Sequence, residues 1–213
     1  MKQYCKNCLY KTDTDMKLYF DDRGWCSGCQ NAEIARDEIN WDERLEKLKK
    51  LFKENRDKKS KYDLIIGVSG GKDSYFQTHL SKNVLGLNPL LVTYYGNNYT
   101  EEGEYNLRRM KDIFKCDHII FKPETETLVK MNLLGFYIQG DMNWHNHCGI
   151  MTYPFQIAVK EKINFILWGE HGYMDRSGMF FYDDFVEFTK RHRKEHDLRG
   201  YDWHDFTDDG LDK

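Results

Sequence analysis

Proline is scarce, at three in 213 residues. That excludes collagen-like, mucin-like and proline-rich linker classes and leaves room for unbroken helices and strands. No run of about 20 apolar residues occurs, so no membrane-crossing helix is expected. The chain opens Met1-Lys2-Gln3-Tyr4-Cys5 with no apolar stretch behind it. A secretory signal is therefore not expected, and the cytoplasm is the expected compartment. A surplus of one charge is also missing. Lys and Arg total 32 against 35 Asp and Glu, a formal net charge of -3, so bulk charge argues against a nucleic-acid partner. What is present, 40% hydrophobic and 31% charged residues with 15% aromatics, is the composition of a folded chain. Its length allows one ordinary domain, or one domain plus a small module.

Cysteine is not scarce. Six occur, and in a reducing compartment they point to a metal or to chemistry before disulfides. Four lie within residues 1–34 as Cys5-x-x-Cys8 and Cys26-x-x-Cys29, separated by 17 residues. Two such knuckles can set four thiolates tetrahedrally around Zn2+, and metal binding then supplies folding energy that so small a unit lacks. A redox dithiol pair and an iron–sulfur site are the competing readings of the same spacing.

Residues 35–60 read as a connecting helix and linker. Trp41, Leu45, Leu48 and Phe52 recur at spacings of 4, 3 and 4, with Asn40 at the N-cap and Glu43 at the capping-box position. From residue 61 the pattern changes. Apolar strands are expected at 62–68, 90–95, 118–121 and 164–168, with helices at 73–85, 102–114, 125–136 and 150–162 between them. Alternation of this kind predicts an α/β domain with a parallel sheet covered on both faces, in three layers. Such sheets bind ligands beyond the C-terminal ends of their strands, so the informative loops are 67–74, 95–101, 122–124 and 169–175. The domain, 61–213, is a strand or two short, so either a C-terminally incomplete domain or a compact member of its class is expected. The charged, aromatic tail from Glu187 has no assigned role.

The sharpest local signal is Ser69-Gly70-Gly71-Lys72-Asp73-Ser74, directly after a strand and opening a helix. Two glycines permit tight backbone and close phosphate approach. Free amides at a helix start favour an anion, the serine hydroxyls can donate to phosphate oxygens, and Lys72 can neutralise a leaving pyrophosphate. The spacing is neither that of a Walker A loop nor that of a dinucleotide fingerprint.

S-G-G-K-D-S in this setting resembles the PP-loop ATP pyrophosphatases, with their adenine nucleotide alpha hydrolase-like fold. The chain as a whole resembles one branch of them, the N-acetyl sugar amidotransferases. That resemblance is carried by the two cysteine knuckles, the basic connecting helix, Tyr62-Asp63 through Ser74, Thr93-Tyr94-Tyr95-Gly96-Asn97-Asn98, Asn106-Leu107, His147-Cys148-Gly149 and Ile166-Leu167-Trp168-Gly169-Glu170. It implies an enzyme that uses ATP and Mg2+ to adenylate the acetamido oxygen of a nucleotide-linked N-acetyl sugar. Ammonia from a glutaminase subunit then displaces AMP and leaves an acetamidino sugar for surface polysaccharides such as the lipopolysaccharide O-antigen.

On that resemblance, Ser69, Gly70, Gly71, Lys72, Asp73 and Ser74 are expected to hold the phosphates. Tyr94, Asn97 and Gly169 are expected to bind the nucleotide. Lys72, Asp73 and Glu170 are the expected catalytic residues, with Asp73 and Glu170 also placed on magnesium. Asn98, His147, His171 and Arg176 are expected to meet the sugar substrate, and homo-oligomerisation is left open. His145, His147 and Cys148 have a spacing that could hold a second metal, with loop packing as the alternative. Cys116 is expected to be buried and inert. The basic run Lys190 to Lys194 is expected to be a solvated helix face. Two rival functions are a tRNA-modifying PP-loop enzyme and a zinc-ribbon nucleotide-binding module without catalysis.

Overall fold

The computed structural model describes residues 3–12, 18–57, 60–96, 99–169, 190, 193–194 and 198–206. They divide into two compact units, one built from 3–12 and 18–55 and the other from 56 onward.

In the first unit a short antiparallel bridge closes each cysteine turn, Tyr4 to Lys11 around the first pair and Phe20 to Cys26 leading into the second. Helix α1 (Ser27–Asp37) starts inside the second knuckle, and sequence periodicity gave no sign of it. Helix α2 (Trp41–Asn55) falls where expected. Asn40 Oδ1 accepts the Glu43 amide at 3.1 Å, as an N-cap should. The reciprocal half of a capping box does not form, because the Glu43 carboxylate pairs with Lys47 one turn on, at 2.7 Å. Of the predicted stripe only Phe52 is buried, while Trp41 is 61% exposed and ties its indole N–H to the Ala35 carbonyl.

The second unit is built on four strands, β1 (Leu64–Gly67), β2 (Pro89–Tyr94), β3 (His118–Phe121) and β4 (Ile166–Leu167). All pair in parallel in the order β3-β2-β1-β4. The two central strands are apolar on both faces, and Leu64, Ile65, Ile66, Leu90, Leu91 and Val92 have essentially no exposed surface. Burial of each such side chain stabilises the fold by about 1.5–3 kcal/mol. Alternation along the strands sorts the layers. Ile65, Leu90 and Val92 pack on Ile157, Ala158 and Ile163 of the α6 side. Leu91, Thr93 and Tyr95 point the other way.

Helices α3 (Lys72–His79) and α4 (Glu101–Phe114) cover that other face. Helix α6 (Trp144–Glu161) lies against β1, β2 and β4, with α5 (Thr125–Gln139) packed outside it. The predicted helix 73–85 is α3 followed by a π-helical turn, Leu80–Val84. Helix α6 starts six residues earlier than periodicity indicated. Its first turn is pinned by the tail, as Trp144 donates its indole N–H to the Leu198 carbonyl at 3.0 Å and stacks on Phe206 at 4.4 Å. The tail segment 198–206, for which the sequence offered no role, thus completes a small core with Trp144. Among the described residues no helix is long and apolar enough to cross a membrane.

Candidate active site

From β1 the chain steps outward to β2 and then β3, and returns through α5 and α6 to place β4 on the far side of β1. The strand order therefore reverses between β1 and β4, and a crevice at their C-terminal ends is where such sheets bind ligands. Ser69 to Ser74 emerge from β1 at that crevice. Gly169 follows β4 into it and lies so close to α3 that a β-carbon there would overlap the Gln77 amide.

The phosphate loop is held from several sides. Gly70 has φ +81°, and a β-carbon on it would stand 2.7 Å from the Leu107 amide nitrogen. Only glycine allows the loop to lie on the backbone of α4 in this conformation. The Ser69 amide donates to Ser74 Oγ at 3.0 Å, and the two serine hydroxyls are 3.4 Å apart. The Ser74 carbonyl accepts the Thr78 hydroxyl at 2.7 Å, and the Tyr75 hydroxyl donates to the Asn106 carbonyl at 2.8 Å. Lys72 and Asp73 are exposed and pair with each other at 2.7 Å. An exposed pair of this kind contributes little to stability, so parting the two side chains costs the fold little.

Behind the loop, the Thr93 hydroxyl donates to the Val68 carbonyl at 2.6 Å and lies 2.8 Å from His118 Nε2. With its one proton committed to Val68, Thr93 accepts from the imidazole, which sets the Nε2–H tautomer. Burial, reinforced by nearby Lys111, pushes the His118 pKa down to about 4, so the ring is neutral at physiological pH. Its Nδ1 is buried without a partner. Sequence reading missed Gln77 and His118, and placed Thr93 and Leu107 only as members of motifs, without these roles. Their roles come from contacts across the sheet.

The other predicted residues are placed as follows. Tyr94 ends β2 with its ring turned to the α6 side, over Gly149, 5.6 Å from Phe121 and with its hydroxyl 3.5 Å from His145 Nδ1. His147 is exposed on α6, on the opposite face of the sheet from the phosphate loop. His145 is buried, 2.8 Å from Asn132 Oδ1 through Nε2. Among the described residues His145, His147 and Cys148 form no metal-binding group, since His145 is engaged in packing the sheet. Cys116 is buried with its thiol on the Phe114 carbonyl, and burial raises its pKa. Asn97, Asn98, Glu170, His171 and Arg176 lie outside the described residues, as do Arg191 and His192 of the basic run.

In the first unit the sulfur atoms of Cys5, Cys8, Cys26 and Cys29 all lie within 4.8 Å of one another. Cys5 and Cys29 are 3.8 Å apart, and Cys8 and Cys26 are 3.7 Å apart. Metal–sulfur bonds of about 2.3 Å in a regular tetrahedron put sulfurs about 3.8 Å apart, so the set fits one four-coordinate ion. Amides of Asn7 and Cys26 point at Cys5 Sγ at 3.4 and 3.2 Å, the N–H···S pattern that stabilises a thiolate. Burial pushes the Cys5 thiol up, but these amides and that of Cys8 outweigh it and bring it to about 6. Burial leaves Cys29 pushed up to about 12, so a bound cation is what would make all four thiolates ionise together.

No protein-family model and no curated protein matches the chain. Several solved structures do. The NH3-dependent NAD synthetase of Campylobacter jejuni, in complex with a nitrate ion, is 16% identical at a TM-score of 0.41, over 60% of this chain and 56% of that one. The NMN synthetase of Francisella tularensis is 16% identical at 0.44, over 60% and 54%. The U34-tRNA thiolase NcsA of Methanococcus maripaludis, with its [4Fe-4S] cluster, is 15% identical at 0.39, over 78% and 53%. The chain thus spans a little over half the length of each. The second unit is a four-stranded parallel sheet in the order β3-β2-β1-β4 with a strand–loop–helix turn after β1, and a four-cysteine group precedes it in the chain.

Proposed function

We propose that this chain is an ATP-dependent amidotransferase acting on a nucleotide-linked N-acetyl sugar. The observation that carries the ATP-using part is the Ser69–Ser74 loop, seated at the reversal of strand order and leaning on α4 through Gly70. The sugar part rests on the sequence resemblance. Amide groups at the start of α3 and the hydroxyls of Ser69 and Ser74 bind the phosphates, and Lys72 neutralises the pyrophosphate as the α–β bond breaks. The acetamido oxygen takes the α-phosphorus and becomes part of AMP, a far better leaving group than oxide. Ammonia from a glutaminase partner adds to the activated carbon, AMP departs with the oxygen, and an amidine remains. Asp73 and Glu170 are the residues that would hold magnesium, which when bound would screen the triphosphate charge. Zinc is the ion proposed for the four cysteines. Cys5, Cys8, Cys26 and Cys29 would fill all four positions, so such an ion would be structural and would tie α1 to the first knuckle.

The test is AMP and pyrophosphate release with ammonium, across UDP- and CMP-linked N-acetyl sugars and tRNA. AMP formation that depends on one sugar, with the sugar gaining NH in place of O by mass spectrometry, is the expected result. Turnover with tRNA alone would replace this reading with RNA modification. ATP binding without turnover on any substrate, with a glutaminase supplied, would favour a non-catalytic nucleotide-binding module.

A further inference from the structure

Helix α3 is polar where a helix on a sheet is normally apolar. Its buried side chains are Ser74, Gln77 and Thr78, while Phe76 is 65% exposed. A face of this kind is costly to bury unless each group finds a partner. Ser74 and Thr78 find theirs, as the Ser69 amide donates to Ser74 Oγ and the Thr78 hydroxyl to the Ser74 carbonyl. Gln77 does not. It is 7% exposed, its Oε1 is buried without a partner, and among the described residues nothing accepts from its Nε2. Ser81 Oγ is also unpartnered, but one turn further from the loop. A buried acceptor with its hydrogen bond unmade destabilises a fold, so it calls for an explanation.

Position supplies one. Gln77 follows Asp73 by four residues, so it lies on the same face of α3, about 6 Å along the axis from the helix start. Its amide lies against Gly169, where the chain leaves β4 for the crevice, and a β-carbon on Gly169 would stand 2.0 Å from Nε2 and 3.5 Å from Oε1. With the pyrophosphate of ATP on the helix start, the α-phosphorus is its neighbour, whereas the adenine stands off by the length of the ribose. A group one turn from the loop is therefore placed for whatever reacts at the α-phosphorus rather than for the base. The reacting atom is an oxygen, and Oε1 needs an N–H. A secondary amide carries both. Because it is planar and trans, its carbonyl and its N–H point to opposite sides.

We propose that Gln77 positions the acceptor by taking its amide N–H at Oε1, which turns the carbonyl oxygen toward the α-phosphorus. As that oxygen bonds to phosphorus and pyrophosphate leaves, the nitrogen lone pair moves toward the carbonyl carbon. The N–H becomes more acidic, and its hydrogen bond to Oε1 strengthens in the transition state. The inference rests on the ATP-dependent reading above and narrows its acceptor to a secondary amide, whatever carries that amide. Carboxylates, esters and N,N-disubstituted amides lack the required proton.

The test uses the full chain saturated with a non-hydrolysable ATP analogue, and N-methylacetamide and N,N-dimethylacetamide as probes. The side-chain amide resonances of Gln77, assigned by their loss in Gln77→Met, are followed by heteronuclear NMR. N-methylacetamide is expected to shift them and N,N-dimethylacetamide to leave them in place. Equal shifts with both, or none with either, overturn the proposal. Gln77→Met keeps the shape and removes the unmade hydrogen bond. It should raise the melting temperature of the ligand-free protein by about 2–4 °C and leave the analogue's affinity unchanged. A lower melting temperature would give the amide a structural partner, and weaker analogue binding would assign it to ATP. Either result overturns the proposal. In AMP release driven by an N-acetyl sugar, the variant should lower kcat/KM for the sugar about tenfold or more with KM for ATP unchanged. If a sugar drives AMP release and the variant turns it over like the parent, the role of Gln77 falls and the amidotransferase reading stands. If N-methylacetamide shifts the Gln77 resonances but no N-acetyl sugar drives AMP release, the amide site stands and the sugar reading falls.

Discussion

Gly70 shows how much one hydrogen atom can decide. Its left-handed backbone and the 2.7 Å that would separate a β-carbon from the Leu107 amide leave no room for a side chain. Gly70→Ala should cost about 1–3 kcal/mol of stability or displace the loop, and either outcome should weaken ATP binding about tenfold or more. Paired thermal unfolding and ATP titration would show which. An unchanged ATP affinity would mean that the loop does not need this conformation.

His118 carries a second consequence at the same scale. Its folded pKa is about 4 against 6.5 for the free side chain. As pH falls the unfolded chain takes the proton first. The stabilisation is therefore complete above about pH 6.5, shrinks through the window down to about 4, and is constant below that. The loss should reach up to about 3 kcal/mol. In urea unfolding followed across that window, His118→Gln keeps a donor for Thr93 and should remove this part of the slope. Equal slopes in both proteins would place the acid sensitivity in other groups.

Among the elements, α4 has the most to do. Thr100 caps it by accepting the Gly103 amide at 3.1 Å, and Glu101, Glu102 and Glu104 place negative charge in its first turn, where the helix dipole favours it. It ends on Lys115 at φ +53°, a conformation that costs energy with a β-carbon present. Lys115→Gly should raise stability by about 0.5–1 kcal/mol in chemical denaturation. A loss would show that the lysine side chain makes a contribution larger than the strain. Helix α6 makes a different point. Gly149 lets the Tyr94 ring approach, Pro154 lies against Gly67, and Trp144 docks on the tail. Three positions of low helix propensity or awkward shape are kept because each fits a neighbour from elsewhere in the chain.

For the whole molecule, two compact units with separate supports predict separable responses. The first has a small core and a four-sulfur site, so its structure should depend on the ion. One equivalent of zinc per chain is expected by elemental analysis. Strong chelation should expose four thiols to a thiol reagent and melt helix α1, while the parallel sheet keeps its far-ultraviolet signature. Loss of all structure on chelation would show that the sheet also depends on the metal site.

Legibility followed the range of the interactions. The cysteine spacing, the Ser69–Ser74 loop and the β3 boundaries were readable because each is a local pattern of residue type. The start of α6, helix α1, the roles of Thr93, His118 and Leu107, and the docking of 198–206 were not, because contacts distant in sequence create them.

By itself, then, the sequence determined an α/β chain with a Ser-Gly-Gly-Lys-Asp-Ser loop after its first strand and four thiols in two knuckles. Hydrophobic period, glycine freedom and ligand spacing act within a few residues, which is why they can be read without coordinates. Tertiary structure alone decided that the strand order reverses between β1 and β4 and that the loop leans on α4. It also decided that the sulfurs close to a tetrahedron's spacing and that the Gln77 carboxamide lies buried beside Gly169. Each of these depends on which segments meet in space, and that is fixed by packing a whole core.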